Sequence, residues 1–144
     1  MQIPLRHVEF ALCGTTRERR CTPFTTGTDM NYLLLIYANE TETMAMGEAV
    51  LQKMSGEYMD FTKSIVQAGN FKAGDRLRSV SSASTVRVRN GKVAITDGPF
   101  AEAREQLGGY YLIEAKNLDE ATDIASRIPG ARYGSVEVRP IWPL

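Results

Sequence analysis

Residues 90–111, NGKVAITDGPFAEAREQLGGYY, decide how the chain is read. They open with Asn90-Gly91, a strong signal for a two-residue type I′ hairpin turn, because both central residues of that turn need positive φ. If the turn closes a hairpin, Arg89 faces Lys92, Val88 faces Val93, Arg87 faces Ala94 and Val86 faces Ile95. One side of the ribbon is then apolar and the other carries the arginines. The second strand runs into Asp97-Gly98-Pro99-Phe100. There Asp caps its own turn, Gly relaxes φ and Pro stops the ladder. A hairpin exit does not by itself need Phe after Pro, nor Glu102, Glu105 and Gln106 ahead of Gly108-Gly109.

Upstream of the hairpin, Asn31 to Ala38 reads as a buried-type strand bounded by polar residues 39–42. Between 46 and 68, Val50, Met54, Tyr58, Phe61 and Ile65 draw one helical stripe, and Gly69-Asn70 ends it. The methionines around that stripe read as packing residues. Leu77 to Arg89 reads as a long strand region with a bulge in the serine run 79–84. Downstream, Gly109 to Ala115 is a strand. Leu118 to Ile128 is a second helix with Asp119-Glu120 at its positive end, and 134–139 is a final strand. Strand, helix, two strands, helix, strand is the split β-α-β, ferredoxin-like order of an α+β fold. Each helix carries a single apolar stripe, so both are expected on the same face of the sheet.

The segment DGPFAEAREQLGGYYLIEA, with MNYLLLIY before it and GSVEVRPIWPL at the end, resembles the DGPF group of the YCII-related family from about Met30 to Leu144. The resemblance implies a dimeric α+β barrel, in which two ferredoxin-like sheets pack face to face and a small-molecule pocket lies between sheet and helices or near the subunit junction. It also implies a link to extracytoplasmic-function sigma factors. Several YCII-related enzymes use a His-Asp pair for lyase- or isomerase-type chemistry on small ring compounds. No position between 30 and 144 supplies that histidine. A homodimer is expected, since Tyr32, Leu34, Ile36, Val86, Val88, Val93 and Ile95 offer more apolar surface than two helices need.

Residues 1–29 read as an N-terminal extension without sustained periodicity, flexible or a non-native start, with the YCII-related domain occupying 30–144. Both cysteines, Cys13 and Cys21, and the single histidine, His7, lie in that extension. Too few ligands are present for a structural zinc site, so neither metal nor cofactor is expected. The 30–144 segment therefore has no Ser-His-Asp or Cys-His catalysis available to it. The charges balance, with 17 basic and 17 acidic residues. No basic stripe stands out for nucleic acid. The longest apolar run, residues 32–38, is far short of the roughly 20 residues of a membrane span. A cytoplasmic protein is the expectation.

The charged candidates follow from what remains. Asp97 and Glu102 are the candidate general acid and base, because a carboxylate beside apolar surface can be tuned toward neutrality. Arg87, Gly98, Pro99, Phe100 and Arg139 are the candidate ligand-binding residues, the arginines for an anionic group and the others as the rim of a pocket. Asp97 also reads as a turn residue, and Glu137 with Arg139 as cross-strand partners of Arg87 and Arg89. Three functions stay open. The first is a small-molecule-binding accessory or regulatory protein, and the second a lyase- or isomerase-type enzyme acting on a small, perhaps cyclic, substrate. The third is an oligomerisation domain without a pocket.

Overall fold

The computed structural model describes residues 29–142. The extension expected at 1–29, with His7, Cys13 and Cys21, lies outside the described residues apart from Asp29. The elements in chain order are β1 (Met30–Ala38), α1 (Glu40–Met44), α2 (Glu48–Gln67), β2 (Phe71–Arg76), β3 (Ser84–Arg89), β4 (Lys92–Asp97), β5 (Gln106–Ala115), α3 (Leu118–Ser126) and β6 (Ser135–Pro140). Four strands form one sheet in the order β2-β5-β1-β6, and every neighbouring pair is antiparallel. That order and direction are those of the ferredoxin-like α+β fold. The β3–β4 hairpin stands apart as its own two-stranded sheet.

The central strand shows why one face carries the helices. Tyr32, Leu34 and Ile36 on β1 are buried and lie in register with Ile113, Tyr111 and Gly109 of β5. Phe61 and Ile65 of α2, with Ala121, Ile124 and Ala125 of α3 and Ile128 just beyond it, complete that core. Leu34, Ile65, Ile113, Ile124 and Ile128 are fully buried, and each such side chain contributes roughly 1.5–3 kcal/mol. Tyr111 is the junction of the layers. Its ring meets Phe61 edge-on at 5.3 Å and Phe71 at 6.3 Å, and its hydroxyl shares a 2.8 Å hydrogen bond with Thr62 Oγ1. The alternate residues Leu33, Leu35, Tyr37, Tyr110 and Leu112 face the other way and are only half-buried.

Several expectations shift. The helix expected over 46–68 forms as α2, and an additional short helix, α1, precedes it where the polar residues 39–42 marked only a boundary: Asn39 caps α1 by accepting from the amides of Thr41 and Glu42, and Gly47, at φ 83°, separates it from α2. α2 runs unbroken from Glu48 to Gln67 through Gly56. The strand after α2 is Phe71–Arg76, where the sequence pattern points to Leu77–Arg89. FKAGDR has no β-branched residue. It pairs with β5 because Gly74 lets the backbone lie over Tyr111, where a Cβ would come within 2.6 Å of the ring. The serine run forms a 3-10 turn at Val80–Ser82 in place of a bulge. Tyr32, Leu34 and Ile36 are covered by the helices of their own chain, whereas Val86, Val88, Val93 and Ile95 of the hairpin stay exposed and Leu33, Leu35 and Tyr37 are half-buried.

The hairpin itself forms in the register read from Asn90-Gly91, with Arg89 opposite Lys92, Val88 opposite Val93 and Val86 opposite Ile95. Asn90 at φ 52° and Gly91 at φ 74° supply the turn.

Candidate functional site

The DGPF segment is held by its backbone. The Gly98 amide donates to Ala83 O at 2.7 Å, Thr85 Oγ1 donates to Gly98 O at 2.8 Å, and Arg87 Nη2 donates to Phe100 O at 3.3 Å. Gly98 takes φ 95°, which a residue with a Cβ adopts only under strain. These bonds turn the chain back against the start of β3, and they leave the side chains of Asp97, Pro99 and Phe100 exposed. Phe100 keeps 79% of its surface in water. The Asp97 carboxylate closes no bond with the amides of its own turn, nor with any other described residue. Glu102 is exposed in the loop that follows.

The sequence-derived residues thus fall into two places. Arg87, Asp97, Gly98, Pro99 and Phe100 gather at the base of the hairpin, with Arg87 bound to a carbonyl of that same turn. Arg139 belongs to β6, opposite Leu33 in the four-stranded sheet, and is ion-paired with Glu137 at 3.5 Å. Glu137 and Arg139 therefore pair with each other and not across to Arg87 and Arg89, whose strand lies in a different sheet. Beside them, burial pushes the Tyr37 phenol up, and Glu137 adds to the shift while Arg139 opposes it.

The base of the hairpin is also held by Glu40, which the sequence reading passed over, by Glu105 of the loop after β4 and by Gln106 at the start of β5. The Glu40 carboxylate accepts from Ser79 Oγ at 2.8 Å and from the Val80 amide at 3.0 Å, fixing the 3-10 turn that leads into β3. The Glu40 amide donates to Gln106 Oε1 at 3.1 Å, and Gln106 Nε2 donates to Ala103 O, fixing the loop that leaves β4. Glu105 accepts from Ser135 Oγ at 2.8 Å, tying that loop to the start of β6. One helix turn, α1, therefore holds both legs of the hairpin. Glu40 sits just after the Asn39 cap, and nothing in its local sequence announces a contact 39 residues away.

Next to this junction lies a groove of about 490 Å³ lined by Arg76, Leu77, Arg78, Ser79 and Ser82. Arg76 ends β2 and Arg78 follows in the connection to the 3-10 turn, and both line this groove. Neither guanidinium has an ion-pair partner among the described residues. Arg76 is close enough to Tyr58 to lower its pKa, against the larger upward push of burial on that phenol. A second groove, of about 480 Å³ between α2 and the 3-10 turn after α3, is lined by residues including Glu57, Phe61, Arg127, Ile128 and Arg132. Its cations are already engaged, Arg132 with Glu57 and Arg127 with Asp123. Neither groove is lined by Asp97, Phe100 or Arg139, and no group of three or more metal-ligating side chains occurs among the described residues.

A family model described as YCII-related domain matches residues 30–144. The chain belongs to the YCII-related family. It is also 37% identical over 114 residues to an uncharacterized protein, R00369, of Rhizobium meliloti (strain 1021), an alignment covering 78% of this chain and 92% of the relative. No helix among the described residues is long and apolar enough to cross a membrane.

Proposed function

We propose that this YCII-related protein is a small-molecule-binding accessory or regulatory protein that works as a cytoplasmic homodimer and takes a ligand bearing a carboxylate or phosphate. The observation that carries this reading is the groove at the end of β2. It presents the two guanidiniums of Arg76 and Arg78 with no ion-pair partner among the described residues and includes no acidic side chain in its lining. Two arginines along one open surface groove favour bidentate capture of an oxyanion, and they provide no proton acceptor for turnover. The serine hydroxyls do not compete for this role: Ser79 donates to Glu40 and Ser82 to the Ser79 carbonyl.

A thermal-shift and calorimetric screen of small aromatic acids, hydroxy acids and phosphate esters tests the reading. A ligand whose affinity falls about tenfold or more in Arg76→Ala or Arg78→Ala supports it, the scale of one hydrogen bond to a charged group. Binding that both variants leave unchanged refutes it. The sigma-factor link drawn from the DGPF resemblance calls for a pull-down with and without that ligand.

An enzymatic reading rests on one observation, the exposed Asp97 carboxylate with no bond to its own turn. If Asp97 transfers protons, Asp97→Asn abolishes turnover and leaves stability within about 1 kcal/mol, as for other surface changes. Unchanged turnover in that variant removes it.

A further inference from the structure

We infer that the groove at the end of β2 is a clamp for a phosphate monoester, with the guanidiniums of Arg76 and Arg78 sharing the phosphate dianion and Leu77 meeting the organic part. The inference rests on the anion-binding reading above and narrows it to one ligand class.

The two arginines differ from most others in the fold. Arg127, Arg132 and Arg139 are paired with Asp123, Glu57 and Glu137, and Arg87 and Arg89 donate to the carbonyls of Phe100 and Val88. The guanidiniums of Arg76 and Arg78 and the backbone N–H of Arg78 donate to no described residue. The acid bonded to the groove residue Ser79 is Glu40, and its oxygens already accept from Ser79 Oγ and the Val80 amide. A carboxylate offers two oxygens, and the fork of one guanidinium takes both. The second guanidinium would then face the ligand without an acceptor. A phosphate monoester brings about −1.5 to −2 charges at pH 7 and three strong acceptor oxygens, enough for both forks.

The backbone on either side of Arg78 is already fixed. The Leu77 amide donates to Gly108 O at 2.8 Å, and Ser79 is held by Glu40. Arg76 lies in register with Gly109, where a Cβ would come within 2.9 Å of Asp75 O and 3.4 Å of Arg76 Cα. The second residue of the Gly108-Gly109 pair therefore lets β2 close on β5 and seats Arg76 beside the groove. Groups ordered before binding lose little further freedom when a ligand arrives. The groove, about 490 Å³, falls within the roughly 300–1,000 Å³ of small-molecule sites and exceeds what a bare phosphate fills. Leu77, 41% exposed in its lining, offers apolar surface to an esterified carbon group.

Calorimetric titration of the full chain with phenyl phosphate, benzoate and inorganic phosphate tests this. At neutral pH, phenyl phosphate should bind about tenfold or more tighter than either of the others, the scale of one added hydrogen bond to a charged group. Its affinity should rise about tenfold between pH 5 and pH 7, because the second phosphate proton leaves near pH 6, while that of benzoate, already ionised, stays nearly flat. No histidine lies between 30 and 144, and His7→Gln controls for the one in the chain. Arg76→Ala and Arg78→Ala should each weaken phenyl phosphate about tenfold or more with unchanged far-ultraviolet circular dichroism; Arg89→Ala, on the hairpin, should not. Equal affinity for phenyl phosphate and benzoate, lost in both arginine variants, overturns the phosphate assignment and leaves the anion-binding reading standing. A flat pH profile for phenyl phosphate, or inorganic phosphate bound as tightly, also overturns the monoester clamp alone. No binding of any of the three, or binding that both arginine variants leave intact, overturns the clamp and the reading beneath it.

Discussion

Glu40→Gln is the sharpest test of how the hairpin is held. In the parent chain one carboxylate accepts from Ser79 Oγ at 2.8 Å and from the Val80 amide at 3.0 Å, across a sequence separation of about 40 residues. Hydrogen bonds to a charged group are worth about 1.5–3 kcal/mol each when sheltered. Glu40 is half-buried, so solvent screening brings the pair down to about 2 kcal/mol in total. Glutamine keeps the shape and one acceptor oxygen. It turns the other oxygen into a donor facing the Ser79 hydroxyl or the Val80 N–H, so about half of the interaction should be lost, near 1 kcal/mol. For a domain of about 115 residues that corresponds to a Tm lowered by about 3–5 °C. The diagnostic measurement is local: hydrogen exchange at Val80 should accelerate about fivefold, following that loss, while the amides of Leu34 and Ile113 in the core keep their protection. If Tm falls but Val80 exchanges at the parent rate, Glu40 acts through helix α1 and not through the hairpin leg. If neither changes, the junction is not what holds the hairpin.

Other outcomes follow from the core and its titrating groups. Ile113→Ala, at a fully buried position of β5, should cost about 2–5 kcal/mol in urea unfolding, with a shift in midpoint and no change in slope. Gly74→Ala should cost about 1–3 kcal/mol, since the added methyl meets Tyr111 Cδ1 at 2.6 Å and the Tyr110 carbonyl oxygen at 3.1 Å; a second substitution, Tyr111→Leu, should relieve part of it. Burial raises the pKa of Tyr58 above the ordinary 10.0. The folded protein then holds that proton more tightly than the unfolded chain, so stability is fully present below pH 10 and is lost as pH rises through the folded-state pKa. Tyr58→Phe should flatten the alkaline limb of a stability-pH profile, and an unchanged limb would assign the loss to the other raised phenols, Tyr32, Tyr37 and Tyr110.

Local chemistry determined much of this protein. Asn90-Gly91 specified a hairpin and its register because few residue pairs accept positive φ twice in succession. The apolar stripes at Tyr58, Phe61 and Ile65 and at Ala121, Ile124 and Ile128 specified which sides of the helical regions enter the core. The DGPF segment and the residues around it carried the family. Tertiary structure decided what periodicity cannot encode. FKAGDR became an edge strand because of the Tyr111 ring beneath Gly74, a contact between residues 37 apart. The hairpin, legible as a ribbon, forms its own two-stranded sheet, while β2 takes the place beside β5. Arg139 and Arg87, alike in sequence as alternating strand arginines, were sent to different sheets and given different partners. Arg76 and Arg78 read as ordinary surface charges until the fold placed them along one groove, and Glu40 until it met Ser79 and Val80. Periodicity reports which side of an element is apolar; which neighbour covers that side depends on how all the elements compete for a limited surface.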